Sequence, residues 1–283
     1  MGVGSTGEPV PNKVLRSGRL RSLAYALAVA AGSAREEIAN RVRAWHHAEQ
    51  QAVCDVLKPW AHGTILRATR YPNYFAYNLV RVERDPRMSL EELVSVADDA
   101  LAGFAHRRID IEDITAADAL RAGFAAKRWR ATRLLWMRHQ APLPAGPQVT
   151  VEQVSYDAVN ALRVAWHHEE GPSGRHADEY HQQARDVALH RGVQVLAVRS
   201  AGEPVAFAQL ARAGRQAEIT EVYVDRRHRG AGLGTALTRA AIDAAGDVKD
   251  LWICADDEDR PKKLYARLGF RPAWTMMEFT LWP

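Results

Sequence analysis

The sequence has few cysteines, little net charge and no long hydrophobic segment. Cys54 and Cys254 are the two cysteines among 283 residues, and they form neither a metal-ligand spacing nor a disulfide framework. We therefore expect no metal and a reducing, cytoplasmic compartment. Lys and Arg number 38 against 34 Asp and Glu, and the resulting charge of +4 is not collected in a tail. This charge gives no indication of a nucleic-acid partner.

The N-terminal region imitates a secretory signal. Basic residues at 13, 16, 19 and 21 precede an apolar run at 23–31, and small residues follow it. The run is too short to span a bilayer and is mostly alanine, and its periodicity continues through Ile38, Val42 and Trp45. The pattern predicts an ordinary amphipathic helix and no membrane association.

A proline-rich stretch divides the remaining sequence. Residues 142–147 are Pro-Leu-Pro-Ala-Gly-Pro, and three prolines without N–H donors exclude a helix or a central strand. This linker predicts two domains, 1–141 and 148–283, which fits about 150 residues per domain. Strands and helices alternate on both sides of it, a pattern typical of a mixed α/β or α+β fold.

Hydrophobic patterning and capping residues predict the elements of each half. Before the linker, strands are expected at 63–68, 74–83, 109–111 and 129–139, with helices opened by Ser89 and Glu92 and by Thr115 and Asp118. After it, strands are expected at 149–154, 193–199, 204–212, 218–224, 251–255 and 273–281, with helices at 156–168 and 177–190 and two more ending near 245 and 268. A Gly-Phe dipeptide occurs near the end of each half, at Gly123-Phe124 and at Gly269-Phe270, and a predicted strand follows each one. This similarity predicts a duplicated domain.

A glycine-rich turn in the second half carries the chemical information. The strand at 218–224 leads into Arg229-Gly230-Ala231-Gly232-Leu233-Gly234-Thr235, and an apolar helical stripe follows. A helix N-terminus offers unpaired N–H groups and a positive dipole, and glycines let an anion approach the backbone closely. Arg226 and Arg227 add positive charge. The segment is therefore expected to bind a phosphate or pyrophosphate.

Two common phosphate motifs do not fit this turn. A P-loop would need a Gly-Lys-Ser/Thr sequence that is absent here. A dinucleotide fingerprint starting at Gly230 would need a third glycine where the sequence has Thr235, and too little chain follows for a doubly wound sheet. The remaining ligand class is coenzyme A.

The order of two motifs resembles the GNAT N-acetyltransferase superfamily. Val222-x-Val224 followed by Arg229-x-x-Gly232-x-Gly234 is similar to its acyl-CoA-binding motif. Leu264-Tyr265-x-x-Leu268-Gly269-Phe270 is similar to its C-terminal motif. The resemblance covers about 148–283 and implies two GNAT-like domains in tandem. In this interpretation residues 1–141 are a degenerate copy, because 84–92 has no glycine and already carries its own cap and carboxylates.

The resemblance also implies where acetyl-CoA binds. A bulge would splay the strands at 218–224 and 251–255, and the pantetheine would lie between them. The expected cofactor-binding residues are Val222, Tyr223, Val224, Arg229, Gly230, Ala231, Gly232, Leu233, Gly234 and Thr235. A strand N–H would stabilise the developing oxyanion when an amine attacks the thioester.

Two residues are expected to move protons. A primary amine with a pKa near 10.4 must lose a proton before it attacks, and by family analogy Glu218 is the candidate base, directly or through water. Tyr265 matches the tyrosine that protonates the departing thiolate. Glu221 has the opposite strand parity and is expected to face away from Glu218.

The residues after the first helix of the second half give limited information about the acceptor amine. His167, His168, Glu169 and Glu170 lead into a glycine-rich loop at 171–174, and carboxylates there would suit a cationic amine. The sequence predicts an acetyltransferase for a primary amine of a small molecule or peptide. The alternatives are a non-catalytic acyl-CoA-binding regulatory protein and a protein lysine acetyltransferase. The oligomeric state is not predicted.

Overall fold

A computed structural model describes residues 1–2, 14–143, 146, 149–170 and 177–282, with the side chains of 14–31 and Glu170 excluded. The chain forms two compact units, Met1–Arg41 and Val42–Pro283. The first helix, α1, spans Val14–Gln51. In the described part of the chain no helix is both long and apolar enough to cross a membrane. The predicted loop at 171–174 and residues 144, 145 and 147 of the predicted linker lie outside the described residues.

Strands and helices alternate along the second unit, in keeping with the predicted mixed α/β class. The strands are β1 Val56–Trp60, β2 Gly63–Arg67, β3 Leu79–Val82, β4 Arg107–Ile111, β5 Arg130–His139, β6 Glu152–Val154, β7 Gln194–Ser200, β8 Glu203–Ala213, β9 Gln216–Val224, β10 Asp250–Asp256 and β11 Phe270–Leu281. The other helices are α2 Leu90–Ala100, α3 Ile114–Ala126, α4 Asn160–Glu170, α5 Ala177–His190, α6 Leu233–Ala245 and α7 Pro261–Arg267.

All of these strands belong to one mixed sheet. Their order is β1-β2-β3-β4-β11-β5-β10-β9-β8-β7-β6. The pairs β3–β4 and β9–β10 are parallel, and the other neighbours are antiparallel. β5 lies between β10 and β11, and β11 lies between β4 and β5. Each predicted half therefore places its last strand within the other half's part of the sheet.

The sequence located most elements of the sheet, but two local predictions are wrong. The residues predicted as the start of a strand at 74–83 form a 3-10 turn, Phe75–Tyr77, because the Asn78 side chain holds the turn by bonding the carbonyls of Tyr71 and Tyr74. The N-cap of α3 is Asp113 rather than Thr115, since the Asp113 carboxylate accepts from the backbone of Thr115 and Ala116.

The two Gly-Phe dipeptides also do not occupy equivalent positions in the two halves. Gly123 and Phe124 lie inside α3, whereas Gly269 follows the end of α7 with φ +91°. The residue that matches Gly269 by position is Arg128, which follows the α3 C-cap with φ +65°. Similar helix–strand units do end both halves, but the matching dipeptides occupy different places in them.

The helices of the second half cover both faces of their part of the sheet. Leu237 and Ala241 of α6 pack with Ala217 and Ile219 of β9 in one hydrophobic cluster. A second cluster joins residues near α4 and α5 to the other face of the same strand: Tyr156, Val159, Leu162, Ala188, Phe207 and Tyr223. β9 therefore carries side chains into two separate layers.

Candidate active site

The turn after β9 leaves the start of α6 open. Gly232 is the N-cap with φ +78° and supplies no capping side chain, and the first turn of α6 holds no acidic residue. The Gly232 carbonyl accepts from the Ala236 N–H, which is the first hydrogen bond of the helix. The amides that precede Ala236 therefore point out of the helix start. An L side chain at Gly232 would be strained at this φ. The helix start is an anion-binding geometry made by backbone alone.

Gly234 needs a different explanation from Gly232. Its φ is not in the left-handed region, and a Cβ there would lie 3.6 Å from Leu264 and 3.8 Å from Val224, which are ordinary contacts. The packing of the chain therefore does not require glycine at 234. A site at which a ligand approaches the backbone closely would require it.

The arginines around the turn are less available than their number implies. Arg227 pairs with Asp225 at 3.0 Å, and Asp225 also caps the 3-10 turn Arg226–His228. Arg229 pairs with Glu169 of α4 at 2.5 Å and donates to the Val224 carbonyl at 2.9 Å. Arg226 is exposed. The salt bridges fix the shape of the turn, so the backbone amides at the start of α6 are its candidate anion-binding groups.

β9 separates from β10 beside this turn. Their parallel pairing runs from Asp250↔Gln216 to Ile253↔Ile219, although β9 continues to Val224 and β10 to Asp256. On the other side of β9, the pairing with β8 shifts between Phe207 and Gln209. Glu221 stands at this shift with φ +52°. The bulge and the end of pairing agree with the splayed strands that the resemblance implied.

The bulge overturns one expectation about side-chain direction. Strict alternation places Glu221 opposite Glu218, but the extra residue of a bulge changes the parity beyond it. Glu221 accepts hydrogen bonds from Arg163 and Gln209, on the α4 side of the sheet. The prediction that it faces away from Glu218 is wrong, since both carboxylates lie on that side.

Glu218 lies in a buried position. It is 9% exposed, and Trp45 Nε1 of α1 donates to its Oε2 at 2.7 Å. Burial raises the pKa of this carboxyl, although the Trp45 hydrogen bond and the charge of Arg191 act in the opposite direction. A carboxyl with a raised pKa holds a proton more readily than an ordinary glutamate, as a general base must.

Tyr265 is a buried side chain of α7. It is 6% exposed and its ring meets that of Phe270 with centroids 6.3 Å apart. Burial raises its pKa, and the charges of Cys254 and Asp259 raise it further. The hydroxyl is therefore protonated at neutral pH and able to donate.

A cavity of about 170 Å³ lies on the α4 and α5 side of β9, with Glu221 in its wall. The other lining residues come from distant parts of the chain: Phe75, Tyr156, Arg163, Trp166, His167, Tyr180, His181, Ala184 and Trp282. Of these residues, the sequence pattern indicates only His167 as a candidate site residue. No local motif joins the others, because tertiary packing brings them together.

Glu169 has a different place from the expected acceptor-binding one. It accepts from the Tyr223 hydroxyl at 2.8 Å and pairs with Arg229. This carboxylate therefore links α4 to the glycine turn. The structure assigns it to the support of that turn, and Glu221 is the carboxylate in the cavity wall.

The second half matches a known family of enzymes. Residues 157–270 match the sequence model described as Acetyltransferase (GNAT) family. This segment is similar to GNAT acetyltransferases. The match includes the glycine turn and Tyr265, and it confirms the resemblance drawn from their motifs. No curated protein shows significant sequence similarity to the chain.

Solved structures share the fold. A conserved protein of unknown function from Staphylococcus epidermidis has a TM-score of 0.64 at 15% identity, over 80% of this chain and 93% of its own. A tandem GNAT protein from the clavulanic acid biosynthesis pathway has a TM-score of 0.46 at 16% identity, over 71% and 74%. A putative GNAT acetyltransferase from Novosphingobium aromaticivorans has 0.41 at 24%, over 53% and 64%. The similarity to the Staphylococcus epidermidis protein shows that the fold of this chain is shared over most of its length.

Proposed function

We propose that the GNAT domain transfers an acetyl group from acetyl-CoA to a primary amine. One observation carries this proposal: the uncapped start of α6 follows directly on the stretch of β9 whose pairing with β10 has ended. The uncapped helix start can bind a pyrophosphate, and the unpaired strand backbone can bond an extended arm that contains amides. Coenzyme A contains both groups in sequence.

The residues present fit this carrier. The amides of 229–235 would hold the pyrophosphate, and the unpaired backbone at Val222, Tyr223 and Val224 would bond the pantetheine amides. The space beside Gly234 supports the fit, because the packing of the chain gives no other reason for a glycine there. When bound, the thioester supplies an activated acetyl group.

Two side chains would complete the chemistry. Glu218, with its raised pKa, would accept the proton of the attacking amine, directly or through water. Tyr265 would donate to the departing sulfur, since its raised pKa keeps the hydroxyl protonated. Backbone amides of β9 would stabilise negative charge on the carbonyl oxygen, and being fixed in a strand they need no reorganisation.

The first half would serve as a degenerate, structural copy. Its equivalent helix start, at α2, is closed by a complete capping box of Ser89 and Glu92, with Glu91 also in the first turn. These carboxylates would repel a pyrophosphate. The first half still reaches the site through Trp45, whose hydrogen bond holds Glu218.

Calorimetric titration of acetyl-CoA tests the binding step. Gly234→Ala should weaken binding about tenfold, a loss of about 1.4 kcal/mol, because a Cβ would obstruct the anion's approach to the amides. The thermal midpoint should not fall, since a helical alanine is favoured over glycine. Gly32→Ala is the control, because Gly32 is also helical and a Cβ there would meet nothing within 4 Å.

Thiol release from acetyl-CoA across a panel of amines tests the transfer step. Tyr265→Phe should lower kcat by about a hundredfold or more with acetyl-CoA affinity unchanged. Tyr71→Phe, a half-buried tyrosine outside the site, should leave kcat unchanged. Tight binding without turnover above the Tyr265→Phe level would support a non-catalytic acyl-CoA-binding protein instead, and no binding would overturn both functions.

A further inference from the structure

We infer that the cavity beside Glu221 binds the body of the acceptor, and that the acceptor is a small primary amine carrying an aromatic ring. The inference rests on the proposed acetyl transfer and specifies its substrate class. It is carried by the position of the cavity, the rings that line it and the balance of charge within it.

The position of the cavity suits an acceptor that meets the thioester from the other side of the sheet. α6 packs against one face of β9 through Ala217 and Ile219. The cavity lies at the opposite face, where Glu221 forms part of its wall. Glu221 belongs to the stretch of β9 that continues beyond its pairing with β10, so the cavity adjoins the backbone proposed to hold the thioester, and an amine bound there would not have to cross α6.

The walls suit an aromatic ring. The Phe75 ring lies 4.9 Å from that of Trp282, and the Tyr180 ring stacks on that of His167 with centroids 4.8 Å apart. These separations lie within the range in which aromatic rings attract each other, and a further ring would add such contacts. A dry cavity of about 150 Å³ holds a benzene molecule. At about 170 Å³ this cavity is large enough for one aromatic ring and a short chain.

The charge balance disfavours polyamines and lysine-rich peptides. Among the described lining residues Glu221 is the one carboxylate, and it already pairs with the buried Arg163, whose guanidinium lies 3.8 Å from the Tyr156 ring. The charges of Glu221 and Arg163 balance each other, so the lining offers no net negative charge to offset two or more cationic groups on a substrate. Burial lowers the pKa of His167 and His181, so both present uncharged imidazoles at neutral pH and do not repel a single ammonium.

The test uses the full-length protein and three amines of known structure. Binding of 2-phenylethylamine, hexylamine and putrescine is measured by calorimetry, without CoA and with saturating CoA, so that no turnover is needed. We expect 2-phenylethylamine to bind at least ten times more tightly than putrescine and more tightly than hexylamine. Equal or tighter binding of putrescine, or no binding of 2-phenylethylamine, would overturn the inference.

Variants locate the binding. Tyr180→Ala should weaken 2-phenylethylamine about tenfold, the order expected for loss of a ring contact and its buried area. Tyr71→Ala, a half-buried tyrosine outside the cavity, should not weaken it. If Tyr180→Ala does not fold, Trp282→Leu near the chain end replaces it with the same expectation. Unchanged affinity in a folded cavity variant contradicts the inference, whereas failure of CoA alone to bind contradicts only the proposed transfer.

Discussion

Glu218 combines a cost to stability with the catalytic role proposed for it. Its carboxyl is buried, accepts from Trp45 and has a raised pKa. For a carboxyl with a raised pKa, the folded state binds more protons than the unfolded state between the ordinary value of 4.5 and the folded value. Stability therefore falls as pH rises through this window. Glu112, by contrast, is buried beside Arg43 and His47, at 3.1 and 2.5 Å.

Substitution of Glu218 and of Glu112 should change the thermal midpoint in opposite directions. Glu218→Gln keeps an oxygen for Trp45 and removes the buried charge, so at pH 7 it should raise the thermal midpoint by about 2–4 °C, equivalent to about 1 kcal/mol. The gain should vanish below about pH 4, where the wild-type carboxyl is protonated. Glu112→Gln should lower the midpoint, because the buried Arg81 and the partly buried Arg43 would lose their carboxylate partner. Calorimetric scans from about pH 3 to 8 measure both, and a Glu218→Gln variant less stable than wild type at pH 7 would contradict this expectation.

At the scale of the element, the starts of α2 and α6 contrast most. The Ser89 side chain accepts from the Glu92 amide and the Glu92 carboxylate accepts from the Ser89 amide, so α2 satisfies its own first turn. The hydrogen bond from the Ser89 amide lowers the pKa of Glu92. The start of α6 has neither feature. The same element can thus serve either stability or binding, depending on its first four residues.

Ser89→Ala tests this division. The variant should lose about 1 kcal/mol in the free energy of unfolding, as other N-cap serines do, and it should bind acetyl-CoA with unchanged affinity. Urea denaturation and calorimetry measure the two quantities. A loss of acetyl-CoA affinity as large as that expected of Gly234→Ala would mean that the α2 start also takes part in binding.

At the scale of the whole molecule, the exchange of strands makes the two halves depend on each other. β5 pairs with β10 from Trp252↔Arg138 to Asp256↔Leu134 and with β11 on its other side. Without the first half, β10 and β11 would lose the strand between them and expose unpaired edges. The boundary proposed at 142–147 therefore separates segments of sequence that share one sheet.

Production of 148–283 alone tests this dependence. The fragment should lack a cooperative thermal transition and defined near-UV circular dichroism. In the intact sheet β10 and β11 both pair with β5, and the fragment does not contain β5. Mixing it with 1–141 during refolding should restore both signals. Cooperative unfolding of the isolated fragment would instead show that the predicted domain folds by itself.

The sequence alone predicted most of the elements and the strand-turn-helix structure at the glycine turn, because both depend on local properties. Hydrophobic period, caps and glycines fix a strand, a turn and a helix start within about twenty residues, and the residues of 218–235 have the predicted strand-turn-helix structure. Predictions failed where a neighbour changed a local rule, as when Asn78 held a turn at 75–77.

Only the tertiary structure decided which distant residues meet. One extra residue in β9 turned Glu221 toward Arg163, and no alternation pattern contains that information. Trp45 reaches Glu218, and Phe75, Tyr180 and Trp282 line one cavity, because packing joins segments far apart in the chain. The exchange of β5 and β11 is likewise a choice among strand partners, and pairing between strands is determined by the whole sheet rather than by either strand's own sequence.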